Sequence, residues 1–283
     1  MCRWMGYRGQ PILVEELLYK TQHSLIEQSR HAQLGVETFN GDGFGLGWYD
    51  AESEPGVYRG LLPAWGDRNL RHLSGHIRSQ LFLAHVRATT GTPVQETNCH
   101  PFHHRNWLFV HNGSVADFHQ VRHELLMAVD RAYFNTIEGS TDSETMFALA
   151  LTFGLMDEPL PALERMAGFV EEVGHAHDIE FPLQMTLGVS DGDRLWAVRY
   201  SSEGNGKTRS LWSSVDAATI RALQPDNPRI QSIGDEDRVV VSEPLTGLPG
   251  MWQEVPEATA LIIQDGPDEV VAFQPATAVS STA

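Results

Sequence analysis

Apolar residues in this chain gather in short runs bounded by glycine, proline, asparagine and aspartate. Residues 2–7, Cys-Arg-Trp-Met-Gly-Tyr, read as a short N-terminal strand. Pro11 then opens an expected helix, with Ile12, Leu13, Leu17 and Leu18 spaced for one buried face. Asn40-Gly41-Asp42-Gly43 has the composition of a turn and leads into Phe44-Gly45-Leu46-Gly47-Trp48-Tyr49. Glycines alternating within a strand predict close approach by another backbone or by a ligand. Their spacing does not fit Gly-x-Gly-x-x-Gly, so no nucleotide fingerprint is read there. Leu81 to Val86 predicts a buried strand ending at Arg87, and Trp107 to Val110 predicts another ending in a His111-Asn112-Gly113 turn.

Helices are expected over about 117–129 and 142–155, and again after Pro161. The second half changes character. Met185–Ser190, Leu195–Tyr200, Ser210–Ser213, Val239–Ser242 and Ala260–Gln264 are short strand candidates separated by Asp-Gly, Gly-Asn-Gly and proline-containing turns. Strands from both halves with helices in the middle predict an α+β fold with antiparallel sheets. No linker-like stretch and no repeat divides residues 1–283, so one domain is expected, with a frayed tail over 274–283.

Charge narrows the choice of partner. The formal charge of −17, from 37 acidic and 20 basic side chains, repels phosphate backbones and anionic lipid surfaces. Neither nucleic acid nor a membrane is an expected partner, and no run approaches the roughly 18 apolar residues of a bilayer span. Met1 to Gln10 is too polar for a signal peptide. Without one, the Asn112-Gly113-Ser114 sequon carries no meaning. Cys2 and Cys99 alone make no disulfide framework, which favours a reducing compartment, and the cytoplasm is expected.

Cysteine at position 2 is the sharpest chemical feature. Removal of Met1 would leave one residue carrying a thiol nucleophile and a free α-amine of pKa about 7.7–8.0. An amine beside its own nucleophile replaces the histidine of a catalytic triad. By itself, Cys2 would be read as incidental.

Other segments decide otherwise. Met-Cys-Arg at the start, Asn40-Gly41-Asp42-Gly43-Phe44-Gly45 and Ala84-His85-Val86-Arg87-Ala88 occur in that order. Asn98-Cys99-His100-Pro101-Phe102, Trp107-Leu108-Phe109-Val110-His111-Asn112-Gly113 and Thr141-Asp142-Ser143-Glu144 follow. Together they resemble the class II glutamine amidotransferases, and most closely the stand-alone members acting in γ-glutamyl metabolism, including the subunit type linked to glutathione breakdown. The resemblance is dense over residues 2–150 and thins to pieces such as Val239-Val240-Val241-Ser242-Glu243-Pro244.

That resemblance implies the N-terminal-nucleophile hydrolase fold, a four-layer αββα sandwich of two antiparallel sheets between helices. It implies that Cys2 attacks the γ-carbonyl of glutamine or a γ-glutamyl compound and forms a thioester. Asn112 and the Gly113 backbone N–H would receive the oxyanion. Arg87 would clamp the α-carboxylate, with Thr89, Thr90 and Gly91 lining the same pocket. Asp142 would accept the α-ammonium.

Each residue also has a plainer reading. Asn-Gly is a common hairpin turn, Arg87 could form a surface salt bridge, and Thr141-x-x-Glu144 is a capping box. Asn98 to Phe102 is expected as another pocket wall, and Cys99 as a packed, inert thiol. His100, His103, His104 and His111 match no zinc spacing, and the resemblance needs no cofactor or metal. With no synthase domain expected after the amidase unit, the chain would hydrolyse a γ-glutamyl bond alone or serve an ammonia-accepting or peptidase partner. A catalytically silent subunit of the same fold is the alternative from another class.

Overall fold

Strand β1 (Arg3–Leu13) forms the spine of one of two sheets. The computed structural model describes residues 2–276 except Gln33, residues 35–38, Thr90 and Asn205. The other strands in chain order begin with β2 (Phe44–Tyr49), β3 (Gly56–Gly60), β4 (Arg78–Val86), β5 (Phe102–His104) and β6 (Trp107–Val115). They continue with β7 (Leu183–Ser190), β8 (Leu195–Ser201), β9 (Trp212–Ser214) and β10 (Arg238–Val241). The last are β11 (Trp252–Glu254), β12 (Thr259–Ile263) and β13 (Glu269–Ala272). One sheet has seven strands in the order β11-β9-β10-β1-β4-β2-β3, the other six in the order β13-β12-β8-β7-β6-β5. Neighbouring strands pair antiparallel.

The pleat sorts each strand's apolar residues between two cores. Trp4, Leu83, Leu108, Val110, Leu195 and Val240 meet between the sheets. Met5, Phe82, Ala84 and Leu46 face outward onto Leu18, Leu25 and Leu70 of short helices. On the other side Phe109, Met185 and Leu187 face outward onto the helices Phe118–Met127, Asp142–Thr152 and Pro159–Ala176. The layers run helix, sheet, sheet, helix, so the expected αββα arrangement is present. Strands covered on both faces read as unbroken apolar runs, which is why Leu81–Val86 shows no alternation.

Two local expectations fail. Pro11 does not open a helix. Beyond an irregularity between Arg8 and Ile12 the strand resumes, pairing Ile12 with Ser79 and Leu13 with Arg78, and only Glu15–Leu18 turns helical. Proline lacks an N–H and is tolerated where a ladder is interrupted. His111-Asn112-Gly113 is not a turn either, because β6 runs on to Val115 with Asn112 opposite Thr186 and Gly113 opposite Met185. Pairing with a distant strand overrides the local turn preference. A Cβ on Gly113 would stand 2.0 Å from the Gln184 carbonyl oxygen, so glycine here serves a close backbone approach. Of the expected tail, residues 277–283 lie outside the described residues, and the Ala276 N–H before them donates to the Glu164 carbonyl at 3.0 Å.

The glycines of β2 behave as expected. A Cβ on Gly45 would stand 2.0 Å from the His100 carbonyl oxygen, and one on Gly47 2.8 Å from a Leu108 methyl. Bare backbone there lets the two sheets close over the segment after Asn98.

Candidate active site

Cys2 directly precedes β1, and its backbone is held on both sides. Arg3 donates to the Cys2 carbonyl at 2.9 Å and pairs with Glu243 at 2.6 Å, both side chains being buried. The Ser242 N–H donates to the Trp4 carbonyl and the Trp4 N–H to Ser242 Oγ, each at 3.0 Å. The Ser-Glu pair after β10 thus anchors the chain start. The thiol lies 3.6 Å from the Ala88 carbonyl, and burial raises its pKa, while the neighbouring Arg87 guanidinium opposes that rise. A thiol held protonated in this way needs a base.

Because Arg3 pairs with Val86, the residue after β4 comes level with Cys2. Arg87 is buried and is no surface salt bridge. Its guanidinium donates to Thr92 Oγ1 at 2.6 Å, the Pro93 carbonyl at 3.2 Å and the Asp42 carbonyl at 3.3 Å. The Thr89 N–H donates to the Asp42 carboxylate at 2.8 Å. The Asn40–Gly43 turn therefore shapes the loop that presents Arg87. Thr90 lies outside the described residues.

From the second sheet come Asn112 and Gly113. In β6 the Val115 N–H points away from β7 and donates to Asp142 Oδ2 at 2.9 Å. By the two-residue period of a strand, the Gly113 N–H leaves by the same edge, where β5 has already ended opposite Phe109. Asp142 opens its helix behind the Thr141 cap, which accepts the Glu144 N–H at 3.2 Å. The capping box is only half formed, because the Glu144 carboxylate reaches past Thr141 to the N–H groups of Glu138 and Gly139, each at 2.8 Å. Asn98 is a staple beside it, joining Pro93 at 2.9 Å to Ser140 at 2.8 Å.

One cavity of about 570 Å³ is lined by Cys2, Arg87, Thr89, Gly91, Asn112, Gly113 and Asp142 together. A separate cavity of about 310 Å³ beside His23, Trp212 and Trp252 contains none of them. A model of the glutamine amidotransferases of class II matches residues 24–283. The chain belongs to that family.

Similar proteins span nearly the whole amidotransferase. The "Probable glutamine amidotransferase DUG3" of Saccharomyces cerevisiae is 32% identical, covering 93% of this chain and 82% of that one. The gamma-glutamyl-hercynylcysteine sulfoxide hydrolase of Mycolicibacterium smegmatis is 26% identical, covering 94% and 96%. A class II domain protein from Silicibacter pomeroyi superposes with a TM-score of 0.74 at 33% identity, covering 97% and 100%.

Of the expected Asn98–Phe102 wall, His100 lines the cavity, and the amidotransferase adds His111 and Arg209, which the sequence did not single out for it. His111 lines it, with Nδ1 2.7 Å from Ser143 Oγ, and Ser143 in turn lies 3.1 Å from Asp142 Oδ1. His100 lines it with both ring nitrogens buried and without hydrogen-bond partners among the described residues, its ring 4.1 Å from that of His85. Burial holds all three histidines neutral, His85 down to about 3. Arg209 completes the wall. Its signal was a basic residue just before a strand candidate, the mirror of Arg87 just after one. Cys99 is fully buried against the Gly60 carbonyl and its pKa is raised by burial. Among the described residues, no three or more His, Cys, Asp or Glu side chains are grouped to hold a metal ion, and no helix is long and apolar enough to cross a membrane.

Proposed function

We propose that this enzyme hydrolyses the γ-amide of glutamine or of a γ-glutamyl compound through a thioester on Cys2, once Met1 has been removed. The exposed α-amine takes the thiol proton, and Sγ bonds to the γ-carbonyl carbon. Asn112 and the Gly113 N–H hold the resulting oxyanion. Collapse breaks the C–N bond, the α-ammonium returns its proton to the leaving nitrogen, and water then releases glutamate from the thioester. Arg87, with Thr89 beside it, holds the substrate α-carboxylate, and Asp142 its α-ammonium.

What supports this most is that residues from four distant segments, Cys2, Arg87, Asn112-Gly113 and Asp142, line a single cavity. The raised thiol pKa makes an adjacent base necessary, and the neutral histidines form no hydrogen bond to Sγ among the contacts of the described residues. Asp142 keeps capacity for an ammonium, since a carboxylate offers about four lone-pair sites and neutral donors occupy only part of them. A γ-glutamyl conjugate is the favoured donor class, in keeping with the hydrolase relative named for such a compound. The enzyme acts in the cytoplasm, alone or beside a protein that takes up the amine or ammonia. Incubation with an electrophilic glutamine analogue, then peptide mapping, should place one adduct on Cys2 of chains lacking Met1. Labelling at Cys99, or full activity in chains that keep Met1, would overturn the assignment. A silent subunit would take no label.

A further inference from the structure

We propose that Arg209 recognises a carboxylate on the amine half of the substrate, so that the enzyme prefers γ-glutamyl amino acids and peptides over glutamine. This rests on the γ-glutamyl hydrolysis proposed above and assigns the side of the cavity that the glutamyl half leaves unread.

Topology puts Arg209 there. In the seven-stranded sheet β4 lies on one side of β1, and β10 and β9 lie on the other. Val241 pairs with both Met5 and Trp212, so the residues just before β9 come to the same sheet end as Cys2. Ser210 Oγ donates to the Ser242 carbonyl at 2.8 Å and fixes that end of the segment. Arg87 and Arg209 thus flank Cys2 from opposite sides and line the same cavity.

Chemically the two arginines differ. Arg87 is placed by the Thr89–Pro93 loop, and nearby Arg199 is satisfied by Thr208 at 2.8 Å and Glu254 at 2.7 Å. Arg209 has a buried Nε without a hydrogen-bond partner among the described residues. Neither carboxylate that lines the cavity, Asp117 or Asp142, forms an ion pair with it among the described residues. Burial and the nearby Arg3 charge both disfavour its charged form. A guanidinium in this state gains most from an arriving anion. Arg87 and Asp142 match the carboxylate and ammonium of the glutamyl half, and ammonia leaving from glutamine would offer Arg209 nothing. The leaving amine of a γ-glutamyl amino acid carries its own carboxylate one carbon from the scissile nitrogen. That substrate supplies the missing charge beside the reacting carbonyl.

The test compares γ-glutamylglycine with γ-glutamylglycinamide, which differ only in that carboxylate, and with glutamine, using the full chain freed of Met1. In the wild type, kcat/KM for γ-glutamylglycine should exceed that for the amide by about ten- to a hundredfold, as expected for one charged hydrogen bond. In Arg209→Gln the ratio should fall toward one, and Arg209→Lys should restore part of it. Cys2 labelling by the glutamine analogue, which needs no leaving-group carboxylate, reports whether each variant is folded. If Arg209→Gln does not fold, the ratios in the wild type and Arg209→Lys decide. A wild-type ratio near one, a ratio unchanged in the variants, or an equal loss on all substrates would overturn the role of Arg209. Failure of the wild type to cleave any of the three would instead sink the hydrolysis itself.

Discussion

The Trp4 indole N–H donates to Thr186 Oγ1 at 3.0 Å across the interface between the two sheets. The Thr186 hydroxyl passes the contact on to the Asn112 carbonyl at 3.3 Å. Trp4 stands two residues from the thiol, so this bridge sets the spacing between Cys2 and the strand that carries Asn112 and Gly113. Thr186→Val keeps the shape and removes the bridge. It should cost about 1–3 kcal/mol by leaving a buried indole N–H unpaired, and should lower kcat more than it raises KM. Chemical unfolding and steady-state kinetics check both, and an unchanged kcat would show that the bridge does not position the site.

Arg87→Ala and Asp142→Asn should each act mainly on donor binding. Truncating one partner of a buried, hydrogen-bonded charge pair costs about 2–5 kcal/mol, so KM should rise by at least tenfold in each. Near-normal KM in both would move the glutamyl pocket elsewhere. Asp142 also accepts the Val115 N–H at 2.9 Å, so a thermal melt should accompany its kinetics.

Asn112→Ala should show the opposite division. An oxyanion donor acts chiefly in the transition state, so kcat should drop by about 10²–10³ with KM little changed. A pure KM effect would make Asn112 a ground-state contact.

Little of this division was hidden in the sequence. The apolar runs from Leu81 and Trp107 became strands, and the alternating glycines at Gly45 and Gly47 became the close approach they predicted. What failed was local grammar overruled from a distance. Asn112-Gly113 has the composition of a turn, yet β7, some seventy residues later, holds it extended. Ile12 and Leu13 have helical spacing, yet Ser79 and Arg78 claim them for a sheet. Arg209 could be seen as a basic residue before a strand, but its side of Cys2 follows from the strand order β9-β10-β1. Strand order is a property of long-range pairing and leaves no mark on neighbouring residues.

Acid should destabilise the fold through His85, His100 and His111. Burial lowers each pKa below the ordinary value, His85 to about 3. The unfolded chain therefore takes up protons that the folded one refuses. The stability they contribute is complete above about pH 6.5 and is lost as pH falls toward the folded-state values, at up to about 1.4 kcal/mol per pH unit for each histidine. Urea unfolding at pH 6 and pH 5 should differ by about 2 kcal/mol or more, from His85 and His100 titrating in the unfolded chain, with His111 acting in the same direction. His100→Phe, which puts an apolar ring between His85 and Phe102, should remove up to about half of that slope. A stability that is flat between these pH values would mean that the histidines are not buried as a neutral group.

The anchoring of Cys2 has a consequence for biosynthesis. Cys2 is held by Ser242 and Glu243 through Trp4 and Arg3, so its anchoring waits until β10 and the residues after it have left the ribosome. A nascent chain ending before Arg238 lacks β10 and the Arg3 clamp, and it should take no label from a glutamine analogue, whereas the full chain should. Labelling of the shortened chain would show that the clamp is dispensable. A nucleophile assembled by the last strands of its own sheet is withheld from the cell's amides until folding is complete.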